Sequence, residues 1–531
     1  MRTDTYTLQV NLEPTEGEIP QAARPVAGLT TKVVKGTLWT LVGLTVPILF
    51  SLFATPIVTR LLGAESYGLF VLILLIPSYF SFADFGMNHA STKFGSAAFA
   101  ENSPEAEARI VRTAALVALI SSMPLAAVMM IFSAKIVELF NVPEYLTGEG
   151  VTALRIAAVI FVVNFLNNIF NTPELSRLRM DLNIAITSGI RLAGIITTPV
   201  VVYLGGGVIG AVAVAACVSF VTLAGHLIVS SRLLPELAGF SIDREKIKPM
   251  MKFGWSLVVA GVAAVLLVNL EKFVLTKVTS VETLAYYSIA ATFAAMLTLF
   301  SASIVQSLMP AFSQLQSEAN RPALNALYSR GIRLTLIWLV PAVVFMVLVG
   351  RPFFTHWFGP DYGRESTGPF YIIVAGFFFN VLSYFPYTVI MASGRSDIFA
   401  RIYWAELVPY IFLVWWLATT YGATGAAAAW SIRIAFDAGL LFTLASKVGG
   451  ASYDRRNAGY TVIASLVMLL PIGLLTLFAA QNLSLLAMFS LCLLAYCFLV
   501  WKKVLSEDET SWLRKKAYTV FRRTINPTEN L

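Results

Sequence analysis

Arg433 and Asp437 stand four residues apart inside an apolar stretch, a spacing that sets both side chains on one face of a helix. Arg191 and Glu406 are also ionisable residues inside apolar stretches, and Arg191 lies about eight residues in, roughly 12 Å deep. Such a group costs about 2.5–3.5 kcal/mol to insert into a bilayer and normally faces protein or water. Arginine's planar fork suits phosphate oxygens. Two readings follow. Arg191 and Arg433 line a wet cavity for an anion, or they form closed pairs, Arg433 with Asp437 and Arg191 with Glu406, that lock helices together. Arg155 and Lys272 lie nearer an outer helix end, where long stems can snorkel to headgroups. Asp437, Glu406 and Asp84 are the candidate carboxylates for a coupling ion, H+ or Na+; Glu271, like Asp84, lies near a span end. Asn164, Asn167, Asn168 and Asn171 repeat at helical spacing, so four amides share one stripe. They bind either a polar solute or neighbouring helices.

Other chemistries find little support. The three cysteines and three histidines are scattered, with no metal-ligand spacing and no disulfide framework. No phosphate-binding GxxxxGK[ST] occurs, and the match of Gly205, Gly207 and Gly210 to GxGxxG falls at a turn between helices rather than after a strand. No cofactor and no nucleic-acid partner are expected.

The elements that position these residues are membrane helices. Of 531 residues, 57% are hydrophobic and 13% charged, and mean hydropathy is +0.75. The charged share is about half that of soluble proteins. Apolar segments long enough to span fall at 37–60, 66–87, 111–134, 151–172, 183–204 and 208–231, then 253–276, 283–309, 332–351, 368–392, 398–421 and 423–446, and finally 458–479 and 484–501. With the amino terminus inside, 29 of the 38 Lys and Arg fall in inner segments, 5 in outer loops and 4 within spans. This excess places both termini on the cytoplasmic side. All outer loops are short, leaving no room for a catalytic domain.

The chain repeats itself. "TRLLGAESYGLF" (59–70) aligns with "TKVTSVETLAYY" (276–287), "RLRMD" (177–181) with "SGRSD" (393–397), and "GVIGA" (207–211) with "GATGA" (422–426). The offsets are 217, 216 and 215, and each pair falls between equivalent helices. The expected fold is therefore an all-α polytopic membrane protein of fourteen helices in a 6+6+2 layout. It comprises a cytoplasmic tail (1–35), an N-lobe (36–232), a linker (233–252), a C-lobe (253–447), two further spans (448–502) and a basic cytoplasmic tail (503–531). An interval of six helices makes the repeat parallel, an arrangement associated with transporters that bind substrate between their halves. Prolines 47, 124, 199, 341, 409 and 471 sit inside spans and are expected to bend them.

The layout, the turn "TRLLGAESYGLF" and the "GRSD" turn at 394–397 resemble the multidrug/oligosaccharidyl-lipid/polysaccharide (MOP) exporter superfamily, and within it the polysaccharide transporter branch. The resemblance covers about residues 32–505. Leu61 after Arg60 departs from the Arg-Asp of the lipid II flippase branch. The resemblance implies two lobes around a cationic central cavity, with Arg60 at its mouth. Arg191, Arg433, Arg155 and Lys272 would bind a polyprenyl pyrophosphate, and Asn164 and Asn168 the sugar hydroxyls. It implies a flippase that moves undecaprenyl-pyrophosphate-linked oligosaccharide outward by alternating access in a bacterial inner membrane. A polysaccharide polymerase and a chain-length regulator are candidate partners. The alternatives are a drug/cation antiporter of the same superfamily, and a membrane polysaccharide polymerase or ligase.

Overall fold

The computed structural model describes residues 27–239, 241–299, 308–309, 311–395, 397–453, 482–505 and 509–511. Among these residues the chain forms helices and turns and no strand. In hydrocarbon every peptide group must bond within its own segment, and helices do this for apolar runs of this length. The order is α1 (Ala27–Leu75), a 3-10 segment (Ile76–Asp84), α2 (Met87–Ala100), α3 (Pro104–Ile131), α4 (Ser133–Glu138), α5 (Glu144–Phe170), α6 (Thr172–Ser176), α7 (Met180–Val201) and α8 (Gly207–Leu233). Then follow α9 (Arg244–Val278), α10 (Val281–Ala294), α11 (Arg321–Trp357), α12 (Pro360–Glu365), α13 (Thr367–Ala392), α14 (Asp397–Lys447) and α15 (Asn482–Leu499). The expected span at 458–479, with Pro471, lies outside the described residues, as do 1–26 and 512–531.

Among the described residues, seven stretches are long and apolar enough to cross a membrane, so the protein is a multi-pass membrane protein, helical without strands over those residues. Met180–Leu233 has 54 residues and Asp397–Lys447 has 51. Each exceeds the ~20 residues of one crossing, and each contains a sharp break. The breaks fall at glycines rather than at Pro47, Pro124, Pro199, Pro341 and Pro409, which stay within continuous helix. Gly207 (φ 56°, ψ −153°) separates α7 from α8, and Gly422 (φ 58°, ψ −134°) divides α14. In α1 the charged stretch at 59–70 is a kink at Gly63, not a loop. The segment expected to run as one helix over 66–87 turns 3-10 from Ile76. Pro77, which has no N–H to continue the α pattern, stands there.

Two of the three repeated sequence pairs adopt matching backbones, and the third does not, Gly63 having φ 79° and Ser280 φ −150°. Gly207 and Gly422 share their unusual dihedrals, as above. Leu178 (φ 54°) and Gly394 (φ 77°) both turn left-handed one residue before an Arg-x-Asp pair. Arg179 Nε then meets Asp181 at 3.0 Å, and Arg395 Nε meets Asp397 at 3.1 Å. Residue 280, which aligns with Gly63, is the N-cap between α9 and α10.

One apolar core joins α2, α3, α5 and α8, and a second joins α9, α10, α11, α13 and α14. They meet along the second half of α1 and α10. There Gly68 lies so near the Val281 carbonyl that a Cβ would collide with it. Beside Gly63, side-chain donors close one end of the bundle against main-chain carbonyls. Arg60 donates to His356, Trp357 Nε1 to Leu52 (2.9 Å), Asn141 Nδ2 to Lys277 (3.0 Å) and Thr279 (2.7 Å), and Lys277 Nζ to Leu139 (2.8 Å).

Gly422→Ala tests the break, because no atom lies within 4 Å of the added methyl and only dihedral strain opposes it. It should lower the unfolding free energy in detergent by about 1–3 kcal/mol. Gly439→Ala, helical and equally uncrowded, should raise it by about 0.4–1 kcal/mol. Thermal unfolding of the purified variants reads both.

Candidate functional site

Two cavities flank the end of α1 and share Phe70, Leu74 and Ser78 in their walls. The first, about 850 Å³, is lined by α1, α9, α10, α13 and α14 and receives Lys272, Glu271, Arg433 and Asp437. The second, about 800 Å³, is lined by α1, α5, α7 and α8 and receives Arg191 and all four asparagines. The helical period of the asparagines thus carries every amide to one wall.

Within the second cavity the two roles foreseen for the amides are divided. Asn167 is buried and donates to the Ser219 carbonyl at 3.2 Å and to Asn164 Oδ1 at 3.4 Å, tying α5 to α8. Asn164 and Asn168 are exposed on the cavity side. Arg191 is exposed as well, and among the described residues it makes no ion pair or hydrogen bond. Its charge is met by no side chain among the described residues.

The first cavity is built differently. Arg433 Nη1 lies 3.4 Å from Glu406 Oε2, with side chains 9% and 6% exposed. Its guanidinium sits over the Tyr410 ring, 5.1 Å from the centroid, and Tyr410 donates to Glu271 Oε2 at 3.1 Å. The pairs foreseen from spacing are therefore replaced. Arg433 pairs with Glu406 rather than Asp437, and Arg191 does not meet Glu406. The fold-back at Gly422 brings the two halves of α14 together, and that tertiary contact outweighs the one-face neighbour. Three atoms of this cluster, Glu406 Oε1, Arg433 Nε and Asp437 Oδ1, are buried without a partner. Lys272 Nζ donates to Asn269 Oδ1 at 3.3 Å and faces the same cavity.

The remaining candidates lie elsewhere. Arg155 Nε donates to Ser133 Oγ at 3.1 Å, and the residue lines neither cavity. Arg60, expected at the cavity mouth, lines a separate cleft of about 500 Å³ with Glu65, Glu282 and Asp361. Tyr145 donates to Glu65 there. Asp84 accepts the amides of Gly86 (2.9 Å) and Asn88 (3.3 Å), so its carboxylate caps α2. No cluster of metal-binding side chains occurs among the described residues. Sequence reading missed buried pairs such as His226–Glu174 at 2.9 Å and Arg177–Glu107 at 2.7 Å. Both join residues more than fifty apart, so no local spacing announces them.

Breaking the Arg433–Glu406 pair from either side leaves one buried charge alone. Arg433→Met and Glu406→Gln should each destabilise by about 3–5 kcal/mol. The double variant should cost less than their sum by about 1–3 kcal/mol. Arg191→Ala, without a partner to orphan, should stay within about 0.5 kcal/mol of the parent. A double-mutant cycle by thermal unfolding in detergent measures all four, and strict additivity would show the pair to be uncoupled.

Comparison with known proteins identifies the family and the fold. Residues 57–365 match the family described as polysaccharide biosynthesis protein. A Shigella flexneri protein named "Putative O-antigen transporter" is 23% identical over 418 residues, covering 77% of this chain and 96% of that protein. Among solved structures, the lipid II flippase MurJ in an inward closed conformation has a TM-score of 0.66 at 15% identity, covering 88% of this chain and 100% of its own. An inward-facing multidrug resistance MATE transporter of the MOP superfamily has a TM-score of 0.63 at 15% identity, covering 79% and 98%. At such identities the structural likeness is one of fold. The helical fold is similar to that of these two transporters, and the chain belongs to the polysaccharide biosynthesis protein family.

Proposed function

We propose that the protein is a flippase that moves polyprenyl-pyrophosphate-linked oligosaccharide from the cytoplasmic to the outer leaflet of a bacterial inner membrane by alternating access. The observation that carries this reading is the second cavity. A lone arginine faces about 800 Å³ of space beside two amides that bond nothing across to another helix. Phosphate oxygens fit the first and sugar hydroxyls the second. Lys272 and Arg433 in the adjoining cavity supply further cations.

The fourteen-helix, 6+6+2 arrangement with both termini cytoplasmic belongs to this proposal, with lobes at 36–232 and 253–447. The matched backbones at 178 and 394 and at 207 and 422 support it, and so do the two long helical stretches, each long enough for two crossings. Outward transfer of about two negative charges runs with an inside-negative potential, worth about 2.3 kcal/mol per charge per 100 mV. Glu406 and Asp437, each with a buried unpartnered oxygen, are the groups suited to a counter-moving H+ or Na+. Asp84, held by two amides, and Arg155, outside both cavities, receive no transport role in this scheme, and Arg60 helps close the outer end. A polymerase and a chain-length regulator are the partners such a transporter would serve. A drug/cation antiporter is the second reading, favoured by Glu271 and Asp437 in the first cavity. Against it, the described lining of the second cavity holds Arg191 and no carboxylate. An enzyme of polymerase or ligase type would need an outer catalytic segment that the short outer connections do not provide.

Deleting the gene should stall lipid-linked repeat units on the cytoplasmic face without stopping their synthesis. Arg191→Ala should lower outer-leaflet appearance of the units about tenfold at unchanged protein level, with partial recovery in Arg191→Lys. A leaflet-resolved assay of labelled units in spheroplasts measures both. Synthesis that stops, or units that reach the outer face unpolymerised, would overturn the reading.

A further inference from the structure

A groove of about 640 Å³ runs between the two halves of α14. Its walls are apolar and include Ile402, Pro409, Leu413, Phe436 and Leu440. At the rim, Ile432 and Phe436 are 52% and 66% exposed. Side chains of this kind are stable at a membrane protein's surface when hydrocarbon covers them. The groove extends from Arg401 to Leu413, roughly 18 Å along the helix axis, which suits an extended chain better than a compact solute.

Its floor breaks the apolar pattern. Glu406, Tyr410 and Arg433 form it, and Arg433, with its side chain nine-tenths buried, keeps an unpartnered Nε. A guanidinium N–H left unmet at such a site calls for an anionic oxygen. Arg433 also lines the cavity of about 850 Å³ on the other side, so one side chain belongs to both spaces. The occupant must therefore join a long apolar chain to an anion. A phospholipid of the bilayer keeps its phosphate at the interface, level with Arg401, and would not bring it to the depth of Arg433. A lipid being carried across has its head drawn inward while its chain stays in hydrocarbon.

We propose that this groove seats the polyprenyl chain of the translocated lipid, and that Arg433 Nε meets its pyrophosphate at the wall between groove and cavity. The inference rests on the flippase reading and adds to it the path of the chain. Nε is itself closed off in this structure, so the pyrophosphate reaches it only as the Arg433 side chain shifts. Arg433 is then the point where the lipid passes between membrane and interior.

The test places p-benzoyl-phenylalanine at Phe436 in the groove, or at Phe412, which is 72% exposed on the same helix but outside it. The full-length protein in vesicles is irradiated with tritiated polyprenyl diphosphate that carries no sugar. Position 436 should label and position 412 should not. Unlabelled polyprenyl diphosphate should compete about tenfold better than phosphatidylglycerol or than polyprenol without phosphate. Ala405→Trp, which fills the groove from its wall, should abolish labelling while the protein elutes as a monodisperse peak. Arg433→Lys should retain more labelling than Arg433→Gln. Equal labelling at 412 and 436, or equal competition by phosphatidylglycerol, would show an ordinary boundary lipid and overturn the proposal. Because labelling reads binding alone, the two readings separate. Transport without labelling at 436 sinks the groove assignment, and labelling at 436 without leaflet transfer by the parent protein sinks the flippase reading.

Discussion

A peptide group in hydrocarbon has no water to bond, and each one left unpaired costs several kcal/mol. Much of this molecule follows from that cost. Apolar runs become helices, and connections shrink to a residue or two at Gly63, Gly207 and Gly422. Glycine reverses or bends the path over the fewest residues, and so with the fewest exposed amides. The same constraint gathers polar side chains. Beside helices that face lipid, amides and charges are tolerable only where protein or water receives them. They collect in the two cavities beside α1 and in the cleft beside Gly63.

The two cavities handle charge in opposite ways. Arg191 is left exposed and unpaired, which is tolerable only if water or a ligand solvates it. Arg433 is desolvated and therefore held by Glu406 and by the face of Tyr410. Even so, its Nε remains over, along with one oxygen each on Glu406 and Asp437.

What the sequence makes legible is whatever repeats at short range. The asparagine stripe is a period of one helix, and the structure keeps it as a single wall. The three repeated turns could be found because their offsets agree, and the dihedrals at Gly207 and Gly422 show why glycine stands at both. Partners across a fold-back were not legible. Asp437 is the neighbour of Arg433 by spacing, yet Glu406, 27 residues away, takes the bond once α14 bends. His226 and Glu174 are 52 apart and meet only after α8 packs on α6. Asp84 is an intermediate case. An Asp followed by Gly86 and a new helix is a capping pattern, and reading it so would have removed that carboxylate from the ion-coupling candidates.

The closure beside Gly63 has a kinetic consequence. Its five bonds run from side-chain donors to main-chain carbonyls. A carbonyl neither titrates nor disappears on substitution, so the acceptor half of the latch is insensitive both to pH and to sequence drift. The bonds from Trp357 and Asn141 are worth about 0.5–1.5 kcal/mol each and those from charged Arg60 and Lys277 about 1.5–3 kcal/mol, within a few multiples of thermal energy. Such a seam opens like a zipper, tooth by tooth, instead of through one high barrier. Its strength is spread over four donor residues, and a single change at one of them would loosen this end of the bundle by a small factor.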